Sequence, residues 1–156
     1  MYIEDYEPQP ENINFALLKH LMLRTGIRNT FRKPEKICNQ KQIDRLFKEG
    51  KSLKSGLFRL LYVETEVEDV SPVQVLIAVP KKNLRHAVTR NRMKRLIREA
   101  YRLNKHKLID TYSKAGKHCD IAVIFMGKQC VSLSETLTAI NELLDRLIRT
   151  NEKNSE

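Results

Sequence analysis

Between Lys81 and Lys107 the chain places eleven bases: Lys81, Lys82, Arg85, Arg90, Arg92, Lys94, Arg95, Arg98, Arg102, Lys105 and Lys107. One acid, Glu99, stands among them. Guanidinium forks and ammonium groups at this density suit one kind of chemistry, the binding of phosphates. The whole chain of 156 residues carries a formal charge of +10. This segment alone accounts for that excess, because bases and acids balance elsewhere. Like charges so close repel one another, and a polyanionic partner is the economical reason to keep them together. Arg90, Asn91 and Arg92 fall in the first turn of a predicted helix, where cations oppose the helix dipole at about 0.3 kcal/mol or more each. Nothing in folding asks for cations there. A bound anion would explain them, since helix N–H groups and arginine forks then converge on the same phosphates. A charge run ordinarily means a solvated helix face, but eleven bases to one acid exceeds what such a face needs.

Other chemistries find little support. His20, His86, His106 and His118 are scattered, and each reads as a surface or RNA-proximal residue. Asp44, Glu49, Glu99, Asp110 and Asp120 show no metal-pair spacing, and His118-Cys119 is too short a pattern for a dyad. No catalytic residue and no metal ligand is therefore assigned on this chain. There is no G-x-x-x-x-G-K-[ST] loop. Cys38, Cys119 and Cys130 are odd in number and form no C-x-x-C pair, as expected of reduced thiols. The chain opens acidic, with Glu4, Asp5, Glu7 and Glu11, where a secretion signal opens basic. No apolar run approaches the roughly 20 residues that span a bilayer. A cytoplasmic protein without membrane association is expected. No helix-turn-helix, zinc-finger, zipper or RNP aromatic pattern appears. Charge alone leaves DNA and RNA open, although reading folded RNA with a helix face is the more natural use. Phe47, Phe58 and Tyr62 are either core residues or a platform on which an unpaired nucleotide stacks.

Positioning these groups requires a scaffold. Residues 1–30 read as an arm, disordered or holding a loosely docked helix over residues 13–24. Asn39 can cap a helix whose Ile43, Leu46 and Phe47 share a face, with Gly50 at its end. Residues 51–56 form a connector or short edge strand. Residues 57–67 and 73–79 read as strands joined by a turn at 68–72, and together as an antiparallel hairpin. Thr89 can cap the basic helix, which runs to about Lys105. On it Met93, Leu96, Ile97, Ala100 and Leu103 share one arc and Lys94, Arg95, Arg98, Arg102 and Lys105 the opposite one. Tyr101 lies at the border. A loop follows at residues 110–117, then a short buried strand over 120–125. Ser132 and Glu135 make a capping box for a last helix ending near Thr150, with residues 151–156 frayed. The order of elements predicts an α+β or α/β sandwich with one mixed sheet.

The run Pro80-Lys-Lys-Asn-Leu-Arg-His-Ala-Val-Thr-Arg-Asn-Arg-Met-Lys-Arg-Leu-Ile-Arg-Glu-Ala-Tyr-Arg102 closely resembles the signature of the bacterial ribonuclease P protein family. Upstream, Phe31-Arg-Lys-Pro-Glu-Lys-Ile, residues 42–47 and Glu49-Gly50-Lys51-Ser52 resemble that family's opening segment. Downstream, residues 119–125 resemble its last strand. The likeness spans roughly residues 31–148, within a domain of 31–150. It implies a fold of the α+β class, with a single mixed β-sheet packed with helices, like the second domain of ribosomal protein S5. The implied order is α-β-β-β-α-β-α, with a left-handed crossover through the basic helix, against the usual hand. It implies a protein that binds ribonuclease P RNA, one to one, and the 5′ leader of precursor tRNA. Chemistry would lie in the RNA, with Mg²⁺ held mainly by RNA and substrate. By the resemblance, Lys81, Lys82, Arg85, Arg90, Asn91, Arg92, Lys94, Arg95, Arg98 and Arg102 face the catalytic RNA. Ile43, Phe47, Phe58, Leu60 and Ala78 correspond to the leader cleft. Ile43 stands where an aromatic residue is common, Ala78 and Pro80 where serine is frequent, and Leu84 where glycine is frequent. A structural RNA-binding protein of ribosomal type, without a role in cleavage, is the alternative that the basic helix also allows.

Overall fold

Asn39 opens helix α1 (Gln40–Glu49) as expected, its side chain accepting from the Lys41 N–H at 3.0 Å. Gly50 closes it, donating its N–H to the Leu46 carbonyl at 3.1 Å. Its φ of −64° is ordinary; glycine is required because a Cβ there would collide with the Leu46 carbonyl. The computed structural model describes residues 30–66 and 71–154. The expected arm, its helix over 13–24 and most of the turn at 68–72 lie outside the described residues.

Strands β1 (Lys51–Ser55) and β2 (Phe58–Thr65) form an antiparallel hairpin about Gly56-Leu57, with Gly56 at a φ of +53°. β3 (Val73–Ala78) leads into α2 (Ala87–Ala115), which returns through β4 (His118–Phe125) to α3 (Leu133–Asn154). The sheet order is β1-β2-β4-β3. The expected hairpin of residues 57–67 with 73–79 therefore does not form. β4 lies between them, antiparallel to β2 and parallel to β3. The reason is burial. Every residue of β4 is buried, and such a strand belongs where neighbours cover its edges as well as its faces.

The faces of the sheet carry separate cores. Phe58, Leu60, Tyr62, Val75, Ile121, Val123 and Phe125 meet Met93, Ile97, Ile140 and Leu144 of α2 and α3. On the other face Ile37 and Leu46 cover Leu61, Ala122 and Ile124. The fold class is thus α+β with one mixed sheet, and among the described residues the order is α-β-β-β-α-β-α after a short 3-10 turn at Lys33–Glu35.

Three helix ends differ from expectation, and β4 begins two residues early, at His118. α2 begins at Ala87, so Thr89 is not its cap, and it continues through residues 110–115, expected as loop. Leu108 and Tyr112 extend its apolar stripe and are fully buried. Gly116, at φ +63°, ends it in the left-handed conformation that favours glycine. The capping box of α3 forms as expected, Ser132 N–H to Glu135 Oε2 at 2.9 Å and Glu135 N–H to Ser132 Oγ at 3.2 Å. That helix persists to Asn154 rather than fraying from Asn151, which is buried and accepts from Lys117 Nζ at 3.4 Å. Finally, Lys105 is not on an exposed arc. Burial of its stem places Nζ 2.5 Å from Glu35, with the Thr30 carbonyl as a second acceptor. One base of the run is thereby structural.

Candidate nucleic-acid interface

The loop ahead of α2 is built to present cations. Asn83 N–H closes a turn on the Pro80 carbonyl at 3.0 Å, and its side-chain amide donates to the Phe125 carbonyl at 2.9 Å. Leu84 is buried in the main core. With Asn83 and Leu84 fixed, Lys81, Lys82 and Arg85 are left exposed. On α2, Asn91, Arg92, Arg95 and Arg98 are exposed at helical spacing, opposite the buried Met93, Ile97 and Ala100. Among the described residues, Lys81, Lys82, Arg85, Arg92, Lys94, Arg95 and Arg98 form no ion pair. No acid falls in the first turn of α2, so its N-terminal N–H groups and these cations add to one positive field.

Two members of the expected set do something else. Arg90 Nη1 donates to the carbonyls of Leu84 at 3.0 Å and Arg85 at 2.7 Å. Folding therefore does ask for a cation in the first turn, because Arg90 ties the loop to the helix. Arg102 is half-buried and chelated by Glu99, Nε to Oε2 at 2.9 Å. That hydrogen bond raises the guanidinium above its ordinary pKa, and the one acid of the run is neutralised locally.

The cleft residues divide between the faces. Ile43, Leu76 and Ala78 are half-buried beside the smaller core under α1, and Phe47, one turn on from Ile43, is 52% exposed. Phe58 and Leu60 do not join them. They are 2% and 0% exposed on the opposite face, with the Phe58 ring 5.2 Å from that of Phe125. Tyr62 is core as well. Strand alternation is the cause: residues 58, 60 and 62 share one face and 59, 61 and 63 the other. Arg59 therefore belongs to the α1 face, and pairing in register places Lys54 opposite it. Arg59 Nε donates to Ser52 Oγ at 2.8 Å on that face. Sequence reasoning missed these cations, although Arg59, charged between Phe58 and Leu60, marked the outward parity.

It also missed what holds α1 in place. Asp120 is fully buried; Arg45 of α1 reaches its Oδ2 at 2.9 Å and His118 Nε2 its Oδ1 at 2.9 Å. His118 Nδ1 lies 2.8 Å from the Ser71 carbonyl. Both ring nitrogens thus stand within hydrogen-bonding distance of an oxygen, the Ser71 carbonyl on one side and the Asp120 carboxylate on the other. His118 is thus a buried structural group, not a surface residue. Gln42 donates to Gln74 at 3.0 Å and Gln74 to the Pro34 carbonyl at 3.0 Å, extending this polar seam across the sheet. The signal was His-x-Asp on a strand, which puts both side chains on one face.

Among the described residues no group of three or more His, Cys, Asp or Glu side chains could hold a metal ion, and no helix is long and apolar enough to cross a membrane. Burial pushes the Cys119 thiol well above its usual range, which suits a core residue and not a nucleophile.

Comparison with known proteins adds an independent line. Residues 31–148 match the family model described as Ribonuclease P. A protein of Chlorobium phaeobacteroides named "Ribonuclease P protein component" is 45% identical over 107 residues, which is 64% of this chain and 73% of that protein. A protein of the same name from Porphyromonas gingivalis is 34% identical over 115 residues, 74% of this chain and 84% of its own length. Among solved structures, the RNase P protein of Thermotoga maritima is similar with a TM-score of 0.57 and 29% identity, covering 72% of this chain and 96% of that one. The Staphylococcus aureus protein, at 22% identity and a TM-score of 0.59 over 74% of this chain and 96% of its own, shares the fold.

Proposed function

The chain belongs to the ribonuclease P protein family, and we propose that it is the protein subunit of a ribonuclease P holoenzyme, binding the catalytic RNA through α2 and the preceding loop. The observation that carries this is the set of exposed cations on one loop and one helix face, Lys81, Lys82, Arg85, Arg92, Arg95 and Arg98, that form no ion pair among the described residues. Phosphate oxygens are the ligands that such a set recognises. The second role is to hold the 5′ leader of precursor tRNA on the other face of the sheet, with Phe47 and Ile43 as an apolar wall and Arg59 and Lys54 for phosphates. Single-stranded RNA is bound by this combination of a stacking ring and backbone cations. A cationic protein between two polyanions lowers their mutual repulsion and lengthens the contact between them. The reaction is endonucleolytic removal of the leader in the cytoplasm. No residue of this chain enters the chemical step, and the Mg²⁺ that supports it is held by RNA and substrate.

The two faces can be tested apart. Phe47→Ala combined with Arg59→Ala should weaken holoenzyme affinity for precursor tRNA about thirtyfold, one stacked base and one phosphate contact. Affinity for mature tRNA, which lacks a leader, should not change. Equal losses for both tRNAs, or none for either, would remove the leader from this face.

A further inference from the structure

Along the outer edge of β3 a cavity of about 240 Å³ opens between the strand, the segment after Thr30 and α2. Its walls include Phe31, Lys36, Cys38, Ile77, Lys94 and Arg98 and, among the described residues, no Asp or Glu. The Phe31 ring is fixed edge-on against Tyr101, with centroids 5.8 Å apart at 75°. Lys36 Nζ stands 5.3 Å over the same ring. The Val75 carbonyl accepts from the Ile37 N–H at 3.1 Å, so Val75 turns its peptide groups away from β4. Ile77, two residues further along the strand, faces the same way. Among the described residues no hydrogen bond reaches its outward N–H or C=O. A donor and an acceptor left open beside a pocket are groups that a bound molecule can pair with.

We infer that this slot receives one unpaired nucleotide of the partner RNA. The inference rests on the RNA-binding reading given above and adds a site to it. The base lies against Phe31 and uses its hydrogen-bonding edge on the Ile77 peptide groups, much as a neighbouring strand would. Its phosphate meets Lys94 and Arg98, and Lys36 leaves the ring face to join them. Three cations in the lining, with no acid beside them among the described residues, favour a nucleotide over an extended peptide, which would need only the strand edge. Lys94 and Arg98 then hold this phosphate as well as forming part of the basic face, and the slot fixes the register of that face on the RNA.

The test uses the full ¹⁵N-labelled chain titrated with AMP, CMP, GMP and UMP, and separately with inorganic phosphate. At least one nucleotide should shift the amide signals of Ile77 and Cys38, and phosphate should leave the Ile77 amide in place. Cys38→Trp, which fills the slot from an exposed position, should abolish those shifts. It should also weaken binding of ribonuclease P RNA about tenfold, the scale of one lost base contact, with the dispersed spectrum of a folded protein retained. The slot is overturned if no nucleotide moves Ile77 while the RNA still binds tightly, or if phosphate reproduces the shifts. Unchanged RNA affinity in Cys38→Trp would overturn it too. So would an Ile77 signal that moves on deletion of residues 1–29 and only then responds to nucleotides, which would make the chain's own arm the occupant. Failure of the unsubstituted chain to bind the RNA at all would overturn the RNA-binding reading itself, and the slot with it.

Discussion

Replacing Arg92, Arg95 and Arg98 together by alanine should lower affinity for ribonuclease P RNA about a hundredfold near physiological salt. All three are exposed and make no ion pair within the described protein, so their removal breaks nothing that holds the fold. Each phosphate contact contributes about one counterion to the salt dependence, so the slope of log affinity against log salt should become shallower by about three. Filter binding at several salt concentrations measures both quantities, and circular dichroism confirms that α2 remains. An unchanged slope would place the RNA on another surface. Arg90 is left out of the triple variant deliberately: its bonds to Leu84 and Arg85 make it a structural tie, and its loss would mix folding with binding.

Asp120→Ala should cost about 3 kcal/mol of stability, a fall in Tm of about 10 °C. The carboxylate is fully buried, and its removal takes the counter-charge from the Arg45 guanidinium and an oxygen partner from His118 Nε2. A buried charge without a partner is among the largest single-site penalties known. Replacing all three together, Arg45→Met with His118→Leu and Asp120→Leu, should be less harmful than Asp120→Ala alone, because no charge is then stranded. Chemical denaturation of both variants gives the comparison. A loss below about 1 kcal/mol for Asp120→Ala would mean that the seam is solvated and weak. The effect extends to function, since Arg45, together with Leu46 and Gln42, ties α1, and with it Phe47 and Ile43, to the sheet.

The start of the basic helix to within three residues, the Asn39 and Gly50 ends of α1, the capping box and the approximate strand positions were legible in the sequence, because each rests on local pattern: charge, helical spacing, a cap residue, alternation. The sheet order was not. Residues 57–67 and 73–79 are neighbours in sequence and read naturally as a hairpin; only the complete burial of β4 dictates that it separates them. The cleft was half legible. Both parities of β2 are apolar, Phe58, Leu60 and Tyr62 on one side and Leu61 and Val63 on the other, so hydrophobicity did not choose a face, and its two charged residues, Arg59 and Glu64, fall on opposite parities. Lys105 and Arg90 show the limit of charge counting. Eleven bases look alike in a sequence, but pairing with Glu35 and with loop carbonyls makes these two part of the scaffold. Lys54 and Arg59 show the converse. They belong to a part of the chain with no net charge, and only strand register brings them opposite each other.

The central claim is that this chain assists an RNA catalyst and does not cut RNA itself. The most direct measurement is removal of the 5′ leader from a precursor tRNA at low Mg²⁺, by a bacterial ribonuclease P RNA with and without the protein, beside a protein-only reaction. Faster cleavage at the mature 5′ end with the protein present, and no cleavage by the protein alone, is the predicted result. Cleavage by the protein alone, or no stimulation despite tight binding to the RNA, would contradict it.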